Sequence, residues 1–416
     1  MKIKDIHSRQ ILDSRGNPTL ECTLVMSDDF LVRTSVPAGA SVGTWEAKEL
    51  RDNDPAVFQG KGVMKAIKAL DTQIAPLLVG KSPDLLAMDQ AMIQLDGTED
   101  KSHLGANTLL AVSMAIAHAQ AHQQNVELYQ FINELYGQAK PALPLCMFNL
   151  INGGAHADSG LAFQEFMVIP QTSSAKTSVQ LASSIDHELK KILQAQHYGT
   201  GTGDEGGFAP MFKETGLKKE YAALDLLLKA VASCQTATPI DLCLDVAASQ
   251  FFDLNDSQYH PHGLTLTAGQ MISLYQNLTR EYPIVSIEDG LAQDDWVDWQ
   301  LMTQKLKGTV ELVGDDLFVT NTKRILQGIE KQVATAVLIK PNQIGTISET
   351  LEAITLCKKN GYKIVVSHRS GETDDSFIAD LAVGVAAHYF KAGAPVHGER
   401  VAKYNRLMEI EEKLNA

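Results

Sequence analysis

Six apolar runs in the later part of the chain each end in a side chain able to do acid–base or ionic chemistry. The run 240–244 leads to Asp245, 283–287 to Glu288 and 310–314 to Asp315. Likewise 336–339 leads to Lys340, 363–367 to His368 and 388–390 to Lys391. Three carboxylates brought to one point repel by several kcal/mol per pair at a protein-like dielectric. A hard divalent cation among the oxygens removes that cost, and Mg²⁺ is the expected ion. A lysine acts as a base only when neutral, and bringing its pKa down from ~10.4 takes about 3–4 kcal/mol. Metal ions and a second ammonium nearby would supply that by repulsion. The same cations would stabilise the dianion left when a proton departs from carbon beside a carboxylate. Lys340 and Lys391 are the candidates for these roles.

Glu205 stands in the glycine-flanked stretch Gly203-Asp204-Glu205-Gly206-Gly207, where tight backbone geometry lets a ligand approach closely. A carboxyl group held there, away from water or near Glu165, would keep its proton and serve as an acid. Arg369-Ser370-Gly371 follows His368 and reads as an anion clamp of guanidinium, hydroxyl and bare backbone NH, with phosphate as the fitting guest. The glycine-rich stretches 152–156 and 37–43 are suited to close over a substrate and exclude water. Taken singly, each of these segments also fits a turn or a solvated loop. Six strand-end charges in succession, of both signs, do not fit that explanation.

Such groups need a scaffold that gathers strand ends. From Glu288 onward they recur at intervals of 27, 25, 28 and 23 residues, the length of one strand, one loop and one amphipathic helix. Repeated units of that kind predict a TIM-like β/α barrel, with its active site at the carboxyl ends of the strands. Before it, 19–25 and 30–36 read as paired strands, and 106–123 and 127–135 as helices, the second stopped by Gly137. The proline-containing segment 141–144 marks a junction. The organisation expected is therefore a smaller α+β domain over 1–138 and the barrel over 139–416.

At 416 residues, 44% apolar and 21% charged, the composition is that of a globular protein. No apolar run approaches the ~20 residues of a membrane helix, and the charged first residues do not resemble a signal peptide. A cytoplasmic location follows as the expectation. Five scattered cysteines without a CxxC pattern argue against disulfides or a zinc site. The formal charge of −14 disfavours nucleic acid as a partner, while leaving room for a locally positive pocket.

Together these segments resemble the enolases (phosphopyruvate hydratases) over essentially the whole chain. The matching stretches are 13–19, 104–107, 152–154, 164–167, 203–207, 244–249, 286–289, 314–317, 340–345, 367–373 and 391–395. The resemblance implies a barrel of the enolase type whose early strands depart from regular alternation. It implies dehydration of 2-phosphoglycerate to phosphoenolpyruvate, in glycolysis and gluconeogenesis, by a dimer or an octamer built from dimers. Pairing a lysine base with Mg²⁺ is a known property of this superfamily. By the same resemblance Asp245, Glu288 and Asp315 would bind a first Mg²⁺, and Ser41 would help hold a second that arrives with substrate. Lys340 would take the C2 proton, and Glu205, supported by Glu165, would protonate the departing C3 hydroxyl. Lys391 would bind the carboxylate and Arg369 and Ser370 the phosphate, with His156, Gln164 and His368 lining the pocket.

The chain also departs from the family pattern. Ala38 and Val42 replace hydroxyl residues in the first loop, Trp45 is unusually bulky there, and Gln250 replaces a glutamate. Two other functions share the same frame: action on a different carboxylate substrate, and a silent fold used as a scaffold. The Arg369-Ser370 clamp argues against the first. Retention of base, acid and metal ligands argues against the second.

Overall fold

The computed structural model describes residues 1–40, 43–137 and 140–415. Ser41, assigned above to a cation, and the expected boundary at 138/139 lie outside the described residues. Three antiparallel strands, β1 (Ile3–Leu12), β2 (Pro18–Met26) and β3 (Leu31–Ser35), form a sheet in the order β1-β2-β3. β2 and β3 are the strands expected from alternation. β1 was not expected, because apart from Ile3 and Ile6 its side chains are polar or face outward. The helix Ala106–Gln124 lies against β2 and β3 and is buried along most of its length. Thr34 Oγ1 donates to Ala111 O of that helix at 2.6 Å, fixing sheet to helix. Helix Leu128–Tyr136 ends at Gly137, whose φ of 70° suits glycine.

Eight strands close a barrel. In chain order they are β4 (Leu145–Asn152), β5 (Glu165–Pro170) and β6 (Ile240–Asp245); then, after a short hairpin of β7 (Phe252–Asp253) and β8 (Gln258–Tyr259), come β9 (Ile284–Glu288), β10 (Glu311–Gly314), β11 (Ala336–Ile339), β12 (Lys363–Ser367) and β13 (Tyr389–Lys391). Around the barrel the order is β10-β11-β12-β13-β4-β5-β6-β9. β5 is antiparallel to both its neighbours and every other pairing is parallel. From β9 on, the expected strand–helix repeat holds, with helices such as Thr322–Lys331 and Ile347–Lys359 between strands. The second of these is started by Thr346, whose side chain caps Glu349 N while donating to the Glu349 carboxylate. Met147, Met167, Ile169, Cys243, Val313, Ala336, Leu338 and Val365 fill the barrel interior, so it is a packed core. Among the described residues no helix is long and apolar enough to cross a membrane.

The small sheet domain is bonded to the barrel near the mouth. Ala38 and Gly371 exchange backbone hydrogen bonds at 2.8 and 2.9 Å. Farther out, Asp89 Oδ2 accepts from Ser113 Oγ (2.9 Å) and from Ser348 N at the start of a barrel helix (3.0 Å). Burial pushes the Asp89 carboxyl up to about 6. An acid whose folded-state pKa is raised favours folding while protonated, and that advantage is lost as pH climbs through the raised value. Asp89→Asn removes the titration while keeping an acceptor oxygen. Chemical denaturation of both proteins should show the Asn variant gaining roughly 2–3 kcal/mol relative to wild type between pH 4 and pH 7. A difference that does not change with pH would contradict the assignment.

Candidate active site

Strand register decides which side chains meet. Asp245 and Glu288 end β6 and β9 as directly paired residues. Glu165, the first residue of β5, pairs with Asp245 on its other side. Because β5 runs against its neighbours, its first residue lies at the mouth where those neighbours end. Lys391 ends β13 beside Ser367, one residue before His368. Asp315 and Lys340 stand one residue past β10 and β11. The turn after β13 packs on the Glu205 stretch: Ala394 N donates to Glu205 O at 2.9 Å. Gly393 there has a φ of +86°, and a Cβ would sit 2.8 Å from Glu205 O, so the close approach requires glycine.

A small polar cavity opens at this mouth. Among the described residues, every site residue expected from the sequence lines it except Glu288, which meets it through Lys391. The Lys391 ammonium lies 2.7 Å from Glu288 Oε2, 3.0 Å from Glu165 Oε2 and 3.2 Å from Asp245 Oδ2. Burial lowers its affinity for a proton, but those acids outweigh burial and hold it well above the ordinary lysine range. Lys340 Nζ lies 2.5 Å from Asp315 Oδ2. It too is held above its usual value, burial being outweighed chiefly by Asp315. The second ammonium, Lys391, does lower Lys340, but by less than the adjacent Asp315 raises it.

Glu205 receives Asn149 Nδ2 at 2.8 Å. Its carboxylate lies 3.4 Å from His156 Nδ1 and 3.5 Å from His368 Nε2. Burial pushes Glu205 up, yet His156, His368 and Lys391 together hold it well below the usual carboxylate range. Glu165 is the member of the pair driven up, by burial first and then by Glu205. The two buried carboxyls therefore meet with their proton affinities pushed apart, Glu165 upward and Glu205 downward. Arg400 Nη1 donates to His368 Nδ1 at 2.6 Å, which puts the imidazole proton on Nε2, facing Glu205. Burial also keeps His368 neutral.

Asp315, Asp245 and Glu288 come to one mouth but are each engaged by an ammonium. Asp315 takes Lys340 and also Gln343 Nε2 at 2.9 Å. Among the described residues, the closest-knit acid and histidine groups are Asp289 with Asp315 and Asp316, His156 with Glu165 and Glu205, and Asp253 with Asp256 and His260. The expected trio is not one of these, because Lys391 lies between Asp245 and Glu288 while Lys340 draws Asp315. Its chemistry nonetheless fits a hard cation. All three acids are buried, and Glu288 Oε1 is a buried oxygen with no hydrogen-bond partner in the protein. Burial and then Asp245 hold Glu288 well above the usual range, the signature of acid that lacks enough positive charge nearby.

Several contributors escaped sequence reasoning. Glu46 grips Arg369 with both oxygens, at 2.7 and 3.2 Å, and Asn342 Oδ1 accepts from the same guanidinium at 3.2 Å. Asp289 accepts from the backbone NH groups of Asp315 and Asp316 at 2.9 and 2.8 Å, bracing the acid-bearing turn. Gln250 Nε2 donates to Gln164 Oε1 at 2.5 Å, which turns Gln164 Nε2 toward Asp245 Oδ2 at 3.1 Å. Asn342, Gln343, Asp289 and Asp316 adjoin residues singled out above, so their neighbourhood was a signal. Glu46 adjoins Trp45, singled out only for its bulk, and Arg400 sits in no such pattern.

Residues 3–132 match the model for "Enolase, N-terminal domain" and residues 140–416 the model for "Enolase, C-terminal TIM barrel domain". The two matches follow one another in order and take in nearly every residue. The antiparallel second strand, the strand-end acids and lysines and these matches lead to one conclusion: the chain belongs to the enolase family.

Proposed function

We propose that this protein is a lyase that removes water reversibly from 2-phosphoglycerate to give phosphoenolpyruvate, in glycolysis and gluconeogenesis, with two Mg²⁺ per active site. The observation that carries this reading is the meeting of three unlike sets of groups in one cavity. They are two lysines paired with acids, a coupled pair of buried glutamates, and an arginine–serine clamp. Each set matches one demand of the reaction: taking a proton from C2, protonating a leaving hydroxyl at C3, and gripping a phosphate.

Lys340 is assigned as the base at C2. Glu205 and Glu165, two buried carboxyls that repel, hold one proton between them more firmly than either would alone. That shared proton is assigned to the C3 hydroxyl through Glu205. Lys391 holds the substrate carboxylate, and Arg369, oriented by Glu46, holds the phosphate together with Ser370. His156, Gln164 and His368 shape the walls. Asp245, Glu288 and Asp315 would hold one cation and Ser41 would contribute to the second; when bound, these ions would neutralise the acids that keep Lys340 protonated and would stabilise the dianion formed at C2. The domain boundary at 138/139, a homodimer or octamer, a cytoplasmic location and the absence of nucleic-acid partners are part of the same proposal.

With 2-phosphoglycerate and Mg²⁺, the ultraviolet absorbance of the conjugated product should rise, and chelator should abolish it. Lys340→Ala should lower kcat by roughly 10²–10⁴-fold, the range for loss of a positioned base. A metal-loaded wild-type protein that forms no product would remove the reading, and near-normal turnover by Lys340→Ala would remove the assigned base. Arg369→Lys keeps the charge but loses the planar fork. Its KM for 2-phosphoglycerate should rise by about tenfold or more, and an unchanged KM would take Arg369 out of the phosphate site.

A further inference from the structure

The segment that follows the first glycine-rich loop is clipped to the barrel by contacts that the chemistry above does not use. Trp45 is 52% exposed, unusual for so large a ring. It lies over the Arg324 guanidinium, 5.0 Å from carbon to ring centroid, and Trp296 covers the same guanidinium at 5.1 Å. Trp45 Nε1 donates to Asp294 Oδ1 at 3.2 Å, and Arg324 Nη2 donates to that same oxygen at 3.1 Å. Arg324 is itself fixed from the barrel side. Its Nε donates to Leu317 O and its Nη2 to Gln293 O, both at 2.7 Å. Next to Trp45, Thr44 Oγ1 accepts from Gln293 Nε2 at 3.0 Å. On the other side, Glu46 carries the bidentate grip on Arg369 and also accepts from Gly43 N at 2.9 Å.

A guanidinium between two aromatic faces, sharing a carboxylate with one of them, is a directional contact that a solvent-exposed strap would not otherwise have. It ties residues 44–46 to a guanidinium on helix Thr322–Lys331 that is itself fixed by backbone acceptors. We propose that Trp45 is a positioning residue for phosphate binding: through Arg324 it holds Glu46 in register with Arg369, so that the guanidinium is already oriented when substrate arrives. The inference rests on the phosphoglycerate reading. Without the clip, the strap would have to be ordered at each binding event, and a cost of that kind appears in KM more than in kcat.

The test compares wild type, Trp45→Ala and Trp45→Phe as full-length proteins with Mg²⁺. Steady-state kinetics use 2-phosphoglycerate, and backbone hydrogen exchange over 43–47 is followed without substrate. Trp45→Ala should raise KM roughly three- to thirtyfold, the span expected for losing a cation–π contact between exposed and desolvated limits. Its kcat should stay within about twofold, its exchange over 43–47 should quicken, and its thermal midpoint should hold. Trp45→Phe keeps the ring and should restore most of both effects. Unchanged KM and exchange in Trp45→Ala would overturn the proposal, as would a KM rise that Trp45→Phe fails to rescue. No turnover by wild type would instead defeat the phosphoglycerate reading, while the exchange measurement would still decide whether the clip exists.

Discussion

Everything at the barrel mouth depends on two ammonium groups, Lys391 buried and Lys340 partly so, set among more carboxylates than they can neutralise. Lys391 touches Glu165, Asp245 and Glu288, and Lys340 touches Asp315. Removing an ion from water costs several kcal/mol, recovered only where opposite charge and hydrogen bonds are well placed. The lysines meet that condition and are held above their ordinary pKa. The acids do not all meet it, and Glu165, Glu288 and Asp289 are pushed upward by burial and by one another. Such a cluster holds together poorly unless further positive charge joins it. That imbalance suits the site to a cation, and it ties the protonation of the lysines to what the acids are bonded to.

The fold exists in large part to enforce this crowding. A parallel barrel delivers one residue per strand end to a common point, and the reversed β5 adds Glu165 and Gln164 from a strand beginning. Backbone pairing sets the separations, so the acids cannot drift apart to relieve repulsion. The smaller domain supplies what the barrel lacks: a carboxylate, Glu46, to orient Arg369, and a backbone bridge from Ala38 to Gly371. Substrate binding on this account is shared between a rigid barrel and a strap that must be kept in register.

Much of this was legible in the sequence because strand ends are marked by a change from apolar to charged residues. Asp245, Glu288, Asp315, Lys340, His368 and Lys391 fell at such points, and the regular spacing from Glu288 onward exposed the barrel. β1 was missed because a strand with only two inward apolar side chains has no clear period. Glu46 and Arg400 were missed for a different reason. Each acts by reaching across from another element, to Arg369 and to His368, and no local pattern records a partner hundreds of residues or a whole helix away. How Glu205 and Glu165 hold protons depends on His156, His368 and Lys391 around Glu205 together, a many-body matter that spacing alone does not convey.

The central claim is that the mouth holds protons which a divalent cation displaces. Calorimetric titration of Mg²⁺ into the protein, repeated in buffers of different ionisation enthalpy, measures that directly, since metal binding to protonated ligands or their neighbours releases protons. The account predicts saturable binding near neutral pH with release of about one proton or more per site. Binding with no proton release, or no binding at all, would contradict it.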